Sequence, residues 1–302
     1  MADLGMGRAV SAAAVWVAAF GWAALGTFGT LGSAEAAQKK QVTEKVFPFE
    51  PGGSLRIQSQ NGNITIETWS EPRASVQITR IAKANEEKQV DALLREMQAD
   101  VTLSTGHIEI VSRFPKRSES VGLWDILGQR VTSMNIHYHV KVPARTGIEL
   151  DTTNGDLKIR GVASGVTGRT LNGSVEVRGI KGPVEVETTN GSIHLAGIEG
   201  SASAETTNGT IEAVMHRVDA AGQIVLSTTN GSVTASLPED LKANVDAETT
   251  NGRVRVAFPV KRLAGSTARA LHATIGGGGV DLTLRTTNGN IVIQKIGTTK
   301  GT

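Results

Sequence analysis

The sequence has no cysteine and few aromatic residues, and these scarcities exclude several kinds of protein. Without cysteine there are no disulfides, no thiol chemistry and no cysteine-ligated metal. Aromatic residues make up 4% of the chain, which gives little support for glycan binding by ring stacking. The formal net charge is only +2 over 302 residues and is spread along the chain, so nucleic-acid binding is not indicated. Stability must therefore come from the apolar core and from ladders of hydrogen bonds.

The N-terminus carries the only long apolar run. Arg8 precedes an apolar stretch rich in Ala, Val and Trp, and small residues follow up to Ala34-Glu35-Ala36. This order is typical of a secretory signal peptide over residues 1–36, cleaved after Ala36, so we expect a periplasmic, cell-surface or extracellular protein. The alternative is an uncleaved membrane anchor formed by residues 9–31, which are long enough to span a bilayer.

A short motif, Thr-Thr-Asn-Gly, recurs along the second half of the chain. Six copies are complete, a seventh has Leu171 in second place, and an isolated Asn-Gly lies far upstream. From Asn154 onward the asparagines are 18, 18, 18, 22, 21 and 37 residues apart, and the last gap is wide enough to hide a degenerate copy. Such a period predicts a solenoid or array. The asparagines form a predicted turn column: Asn61, Asn154, Asn172, Asn190, Asn208, Asn230, Asn251 and Asn288.

Aligning the copies on the asparagine shows where the core lies. The residues six and four before it, and three and five after it, are apolar or small in every copy, and those between are mostly polar. This period-2 alternation predicts two half-buried strands flanking a turn. We expect Asn-Gly to supply that turn because both residues tolerate positive φ.

Two architectures fit these repeats, an antiparallel meander and a parallel β-solenoid. Stacking the repeats in parallel brings Lys158 beside Glu176 and places Arg169 between Asp151 and Glu187, which favours the solenoid. The predicted fold class is all-β, a single-stranded β-helix with about 18–22 residues per coil and with ladders of Thr and Asn side chains.

The remaining segments are assigned around this array. A helix is predicted over 85–98, with Asn85 as N-cap and an apolar stripe on one face, to cover an end or edge of the β structure. The full division is residues 37–45 as a linker, 46–145 as an N-terminal β segment containing the helix and a loop over 113–134, 146–296 as the solenoid and 297–302 as a tail.

The loop over 113–134 supplies the candidate ligand contacts. It interrupts the strand pattern and combines a basic cluster with an apolar patch, so a binding role is one interpretation and packing onto the core is the other. The candidate residues are Arg113, Lys116, Arg117 and Trp124.

Other chemistry is weakly indicated. A row of carboxylates near one column could suit Ca²⁺, although a solvated face is the simpler interpretation (Asp151, Glu187, Glu205 and Glu248). His137 and His139 share a strand face, but zinc needs a third convergent ligand, and solvent-facing histidines are the simpler interpretation. We therefore predict no catalytic residue, no cofactor and no metal ligand.

The motif, the upstream Asn-Gly strand pair and the glycine run at 276–279 before the last copy resemble the bacterial putative-adhesin repeat family, over about residues 46–295. The resemblance implies a β-helix in the cell envelope and supplies no catalytic residues. We expect an exported, non-enzymatic binding or structural module whose partner is an envelope glycan or surface protein. It would bind no nucleic acid and would touch a membrane only through an uncleaved N-terminus. The alternatives are a carbohydrate-active β-helix enzyme and a membrane-anchored envelope scaffold or signalling protein.

Overall fold

The computed structural model describes residues 36–115, 131–219 and 222–297. The N-terminal elements are β1 Ala37–Pro48, β2 Ser54–Gln58, β3 Ile64–Trp69, β4 Arg73–Ala84, α1 Glu87–Glu96, β5 Gln98–Ser104, β6 His107–Arg113 and β7 Val131–Pro143. The repeats form β8 Gly147–Asn154, β9 Leu157–Arg160, β10 Val166–Asn172, β11 Val175–Arg178, β12 Val184–Asn190, β13 Ile193–Glu199, β14 Ala202–Asn208, β15 Ile211–Arg217, β16 Gln223–Asn230 and β17 Val233–Leu237. The C-terminal strands are β18 Ala243–Asn251, β19 Val254–Val256, β20 Val260–Arg262, β21 Ala270–Ile275, β22 Val280–Asn288 and β23 Ile291–Lys295.

The repeats stack as coils of a β-solenoid, as the alternation predicts. Each coil gives one strand to each of two sheets, and its strands pair in parallel with those of the neighbouring coils. Equivalent positions lie side by side, so Val166 pairs with Val184, and Asn172 pairs with Asn190. The antiparallel meander is therefore excluded. The sheet orders are β1-β4-β7-β3-β9-β11-β13-β15-β17-β23-β19 (sheet A) and β20-β21-β18-β22-β16-β14-β12-β10-β8-β2-β6-β5 (sheet B).

The core lies between the two sheets and is built from the four apolar columns. In the coil around Asn190, for example, Val184 and Val186 of sheet B and Ile193 and Leu195 of sheet A are all at most 2% exposed. Successive strand residues point to opposite faces, so the polar residues between them face solvent. The columns are buried wherever another coil covers them, and they become half-buried only in β19 at the end of sheet A.

The order of coils at the C-terminal end differs from their order in the chain. The last coil, β22–β23, lies between the coil β16–β17 and the coil β18–β19, and it pairs in parallel with both. The wide gap before Asn288 hides no further coil, because its two strands, β20 and β21, run antiparallel and extend sheet B beyond β18. Both edges of the C-terminal coil are thus hydrogen-bonded, which protects it from fraying.

The N-terminal end has the same interleaved arrangement. The coil β2–β3, which contains Asn61, lies between the coil β8–β9 and the last parallel pair of strands at this end, β6 and β7. The parallel stack therefore begins well before residue 146, and the predicted division into an N-terminal β segment and a separate solenoid is not seen. Antiparallel strands complete this end, with β5 on β6, β4 on β7 and β1 on β4.

The segment predicted as a linker is a strand. Residues 37–45 belong to β1, which pairs with β4 from Ala37↔Ala84 to Pro48↔Arg73. Its charges obscured the pattern, but they have partners: Lys39 Nζ lies 2.7 Å from Glu87 and 2.8 Å from Asp91 of the helix. An edge strand rich in lysine is a usual way to keep a sheet end from aggregating.

The predicted helix is present, but its bounds and its N-cap residue differ from the prediction. It spans Glu87–Glu96, and its N-cap is Glu86, with no side-chain capping bond, instead of Asn85. Val90 and Leu94 are buried, and the helix packs against β1 and β4. It therefore covers the N-terminal end of sheet A. Among the described residues, no helix has the length and apolar character needed to cross a membrane.

Candidate functional site

The asparagine column forms a continuous ladder along the solenoid. In every coil except that of Asn61, which only accepts, the Nδ2 group donates to Oδ1 of the neighbouring asparagine at 2.7–2.9 Å. The order follows the stacking and not the chain, so Asn288 donates to Asn230 and Asn251 donates to Asn288. All of these asparagines are exposed except Asn61, which is half-buried, so the ladder forms one stripe along an edge of the coils.

The threonine two residues before six of the asparagines makes a second, buried ladder, whereas the buried Oγ1 of Thr152 has no hydrogen-bond partner. Thr188, 2% exposed, donates through Oγ1 to the carbonyl of Gly173 in the preceding coil at 2.9 Å. Five more threonines make the same bond at 2.8–3.0 Å: Thr170, Thr206, Thr228, Thr249 and Thr286. The two ladders together tie every turn to its neighbour.

The glycine of the motif is required in every turn by close approach to the neighbouring turn. A Cβ on Gly191 would lie 2.0 Å from the carbonyl oxygen of Gly173, and the other motif glycines face the same collision. Gly191 has no left-handed φ, whereas Gly62, Gly173 and Gly231 have positive φ of 129°, 159° and 159°. No described residue other than glycine has a positive φ, so the expectation of positive φ is wrong for the asparagines and holds for only some of the motif glycines.

Removing one asparagine from the ladder should destabilise the fold modestly. Asn190→Ala removes a donor to Asn172 and an acceptor for Asn208, at 2.8 and 2.9 Å. At an exposed position the two bonds should contribute about 1–2 kcal/mol, measured by urea denaturation. Thr189→Val, at the position just before Asn190, is the control and should change stability by no more than about 0.5 kcal/mol. Equal effects of the two substitutions would contradict a stabilising ladder.

The outward charges are arranged as the parallel register predicts, but the ion pairs differ in detail. Arg169 lies between Asp151 and Glu187 in the register, and its guanidinium contacts Glu185 at 2.7 Å and Glu187 at 3.5 Å. Glu176 pairs with Arg160 and Arg178. Partial burial acts to raise the pKa of Glu176, but the Arg160 hydrogen bond and the charges of Arg178, Arg160 and Lys158 outweigh it and lower that pKa.

The carboxylate row suggested for Ca²⁺ is interrupted. In stacking order the column reads Asp151, Arg169, Glu187, Glu205, Ser227, Arg285 and Glu248. Only Glu187 and Glu205 are adjacent carboxylates, and Arg285 separates the last member from the others. The row as a whole offers no continuous oxygen-rich surface of the kind that Ca²⁺ prefers.

The histidines at 137 and 139 do not form a site together. His137 accepts a bond from the backbone N–H of Asn63 through Nδ1 at 3.0 Å, and burial and Lys40 lower its pKa. His139 contacts Glu67 at 3.0 Å.

Instead, a three-residue group appears on sheet B at the C-terminal end, where Asp246, Glu248 and His272 lie close enough to share a metal ion. The sequence places Glu248 and His272 far apart, and only the antiparallel return of β21 brings them together.

Beside this group lies a shallow polar groove of ≈ 380 Å³ on sheet B. It is lined by the Thr-Thr pairs of three stacked coils: 228–229, 249–250 and 286–287. The lining also includes Ser227, Glu248, Arg269 and Arg285. Hydroxyls and two guanidinium groups around one carboxylate are suited to a hydroxyl-rich ligand carrying negative charge.

The predicted ligand contacts are not gathered into this groove. Arg113 ends β6 at the other end of the solenoid and pairs with Asp100 at 2.6 Å. Lys116, Arg117 and Trp124 lie outside the described residues.

Nearby, Tyr138 is buried and its hydroxyl is 2.6 Å from Ser112, which also donates to Ser59 at 3.1 Å. Burial raises the pKa of Tyr138 to about 12, so this hydroxyl stays neutral and acts as a structural hydrogen-bonding group.

The geometry defines a two-sheet β-solenoid with interleaved end coils, an asparagine ladder and a polar groove. The chain belongs to the Toastrack DUF4097 family, whose model matches residues 33–294. No curated protein shows significant sequence similarity to it.

Two crystal structures resemble the chain distantly. One, a putative cell adhesion protein from Clostridium sporogenes ATCC 15579, has 11% identity and a TM-score of 0.30, covering 84% of this chain and 100% of its own. The other, a putative adhesin from Bacteroides fragilis NCTC 9343, has 14% identity and a TM-score of 0.38, covering 84% and 97%.

Proposed function

We propose that the protein is an exported, non-enzymatic, adhesin-like module that works at the cell surface or in the periplasm. The observation that carries this proposal is the unbroken ladder of eight asparagines, which ties the coils of the solenoid into one stiff body with polar outer faces. A stiff body of stacked coils presents side chains at a fixed spacing of about 4.8 Å, which suits contact with an extended partner.

The partner that suits the surface best is an acidic, hydroxyl-rich envelope glycan bound in the groove on sheet B. Arg269 and Arg285 can pair with carboxylate or phosphate groups, and the threonine hydroxyls can both donate and accept. The groove is open and its lining includes a single carboxylate, Glu248. That lining supports binding more than polysaccharide cleavage, which commonly uses two flanking carboxylates.

Fractionation of the native host tests export. We expect the mature protein to begin at Ala37 and to be recovered from periplasm or medium, because the N-terminal residues have the order of a cleaved signal peptide. N-terminal sequencing of each fraction gives the answer. An intact N-terminus in the membrane fraction would contradict a released module and favour the membrane-anchored scaffold.

Binding is tested with polysaccharide extracted from the same envelope. Arg269→Ala should weaken binding of the mature protein about tenfold, since it removes one cation from the groove. The matched control is Arg262→Ala, an exposed arginine on β20 that is not part of the groove lining, and its affinity should not change. Equal losses would indicate charge attraction without a site, and absence of binding to every envelope fraction would contradict the glycan proposal.

A further inference from the structure

We propose that Asp246, Glu248 and His272 bind one divalent transition-metal ion, of which Zn²⁺ is the probe of choice. The proposal rests on side-chain geometry alone and is independent of the adhesin-like function. The three residues each offer a ligand atom, and these atoms all lie within 4.8 Å of one another. Two ligands of one tetrahedral zinc ion are about 3–4 Å apart, so the three side chains would have to draw together to share one ion.

The pairing of β18 with β21 brings these three residues together. β18 and β21 are antiparallel, and Asp246 is directly opposite His272. Glu248 lies two residues further along β18 and therefore points to the same face. The imidazole is held between both carboxylates, with Nδ1 at 3.1 Å from Asp246 Oδ1 and Nε2 at 3.8 Å from Glu248 Oε1. A metal ion would take one of these two nitrogens.

One carboxylate oxygen of Asp246 is available to a cation. Its Oδ1 atom is buried and makes no hydrogen bond, although the side chain as a whole is 38% exposed and His272 Nδ1 lies 3.1 Å from Oδ1 as an ion-pair partner. The other oxygen, Oδ2, accepts a bond from Arg285 Nη2 at 3.1 Å. Arg285 thus fixes the carboxylate and leaves Oδ1 facing the histidine, as outer-shell partners do in metal sites. A cation bound to Oδ1 would coordinate an oxygen that accepts no hydrogen bond.

The ligand set selects the class of metal. One imidazole and two carboxylates suit Zn²⁺ and its neighbours in the first transition row. Ca²⁺ takes six to eight oxygen ligands, and this group offers only two carboxylates. Glu248 also lines the groove, whereas Asp246 and His272 do not.

Calorimetric titration of the tag-free mature protein, stripped with a chelator, tests the site. We expect one Zn²⁺ per chain, no comparable binding of Ca²⁺, and an increase in melting temperature with Zn²⁺ because the ion binds the folded chain. His272→Ala and Glu248→Gln should each weaken Zn²⁺ binding more than tenfold. Asp246→Asn should weaken it by at least tenfold while keeping the side-chain shape.

The matched control is His194→Ala. His194 is an exposed histidine 3.2 Å from Glu212, so it has the same kind of partner but belongs to no three-residue group among the described residues. Its loss should leave Zn²⁺ affinity unchanged. Absence of Zn²⁺ binding, unchanged affinity in His272→Ala, or equal losses in His272→Ala and His194→Ala would each overturn the site. Melting temperatures of the metal-free variants separate loss of a ligand from loss of the fold.

Discussion

Ile193→Asp should destabilise the protein by about 4 kcal/mol or more. Ile193 is fully buried in sheet A, between Val175 and Ile211 of the neighbouring coils. The substitution removes a packed apolar side chain and places a carboxylate where it has no partner, and each change alone costs several kcal/mol. In a domain of this size such a loss should lower the melting temperature by about 8 °C or more, measured by thermal unfolding.

Ala196→Asp is the matched control for that experiment. Ala196 lies on the same strand but faces outward, beside Arg178 of the preceding coil. A carboxylate there remains hydrated and has a cation nearby, so we expect a change within about 1 kcal/mol. If Ile193→Asp left the melting temperature unchanged, or if both substitutions had the same effect, the assignment of the inward and outward columns would be wrong.

The repeat pattern predicts the coil itself but not the order of coils. Alternation around Asn190 fixes which residues are buried, since a half-buried strand has only one apolar face. Every coil, however, offers its neighbours the same strand edges. The strand that follows β16 in the stack could therefore be either β18 or β22, and in the structure it is β22, which pairs with both. No local feature distinguishes these choices. The interleaving at both ends therefore required the structure.

The same reason explains which part of the candidate site could be predicted. Glu248 belongs to a column that alignment of the repeats identifies, whereas His272 lies in a segment without the repeat pattern. Their approach depends on the antiparallel return of β21, which no spacing encodes. The linker assignment failed for a related reason: the lysines of β1 hide its alternation, and it forms a strand because β4 offers it an edge.

Gly191→Ala should also destabilise the protein strongly, by about 3 kcal/mol or more, which is close to the effect expected for Ile193→Asp. The added Cβ would lie 2.0 Å from the carbonyl oxygen of Gly173, which is backbone and cannot move aside without separating the two turns. Separation would weaken the bonds that Asn190 makes to Asn172 and that Thr188 makes to Gly173. Overpacking of this kind typically costs 1–3 kcal/mol, and the coupled ladders should raise that cost. Thermal unfolding and amide hydrogen exchange of the turn would measure it.

A second substitution at the same position separates close approach from backbone conformation. Asparagine tolerates left-handed φ better than other residues with a side chain, so Gly191→Asn would be tolerated if the turn needed positive φ. Because the collision involves Cβ, we expect Gly191→Asn to be at least as destabilising as Gly191→Ala. Gly147→Ala is the control, since its Cβ would meet nothing closer than 4.0 Å, and it should be neutral or slightly stabilising. A stable Gly191→Asn variant would show that the glycine column serves turn conformation after all.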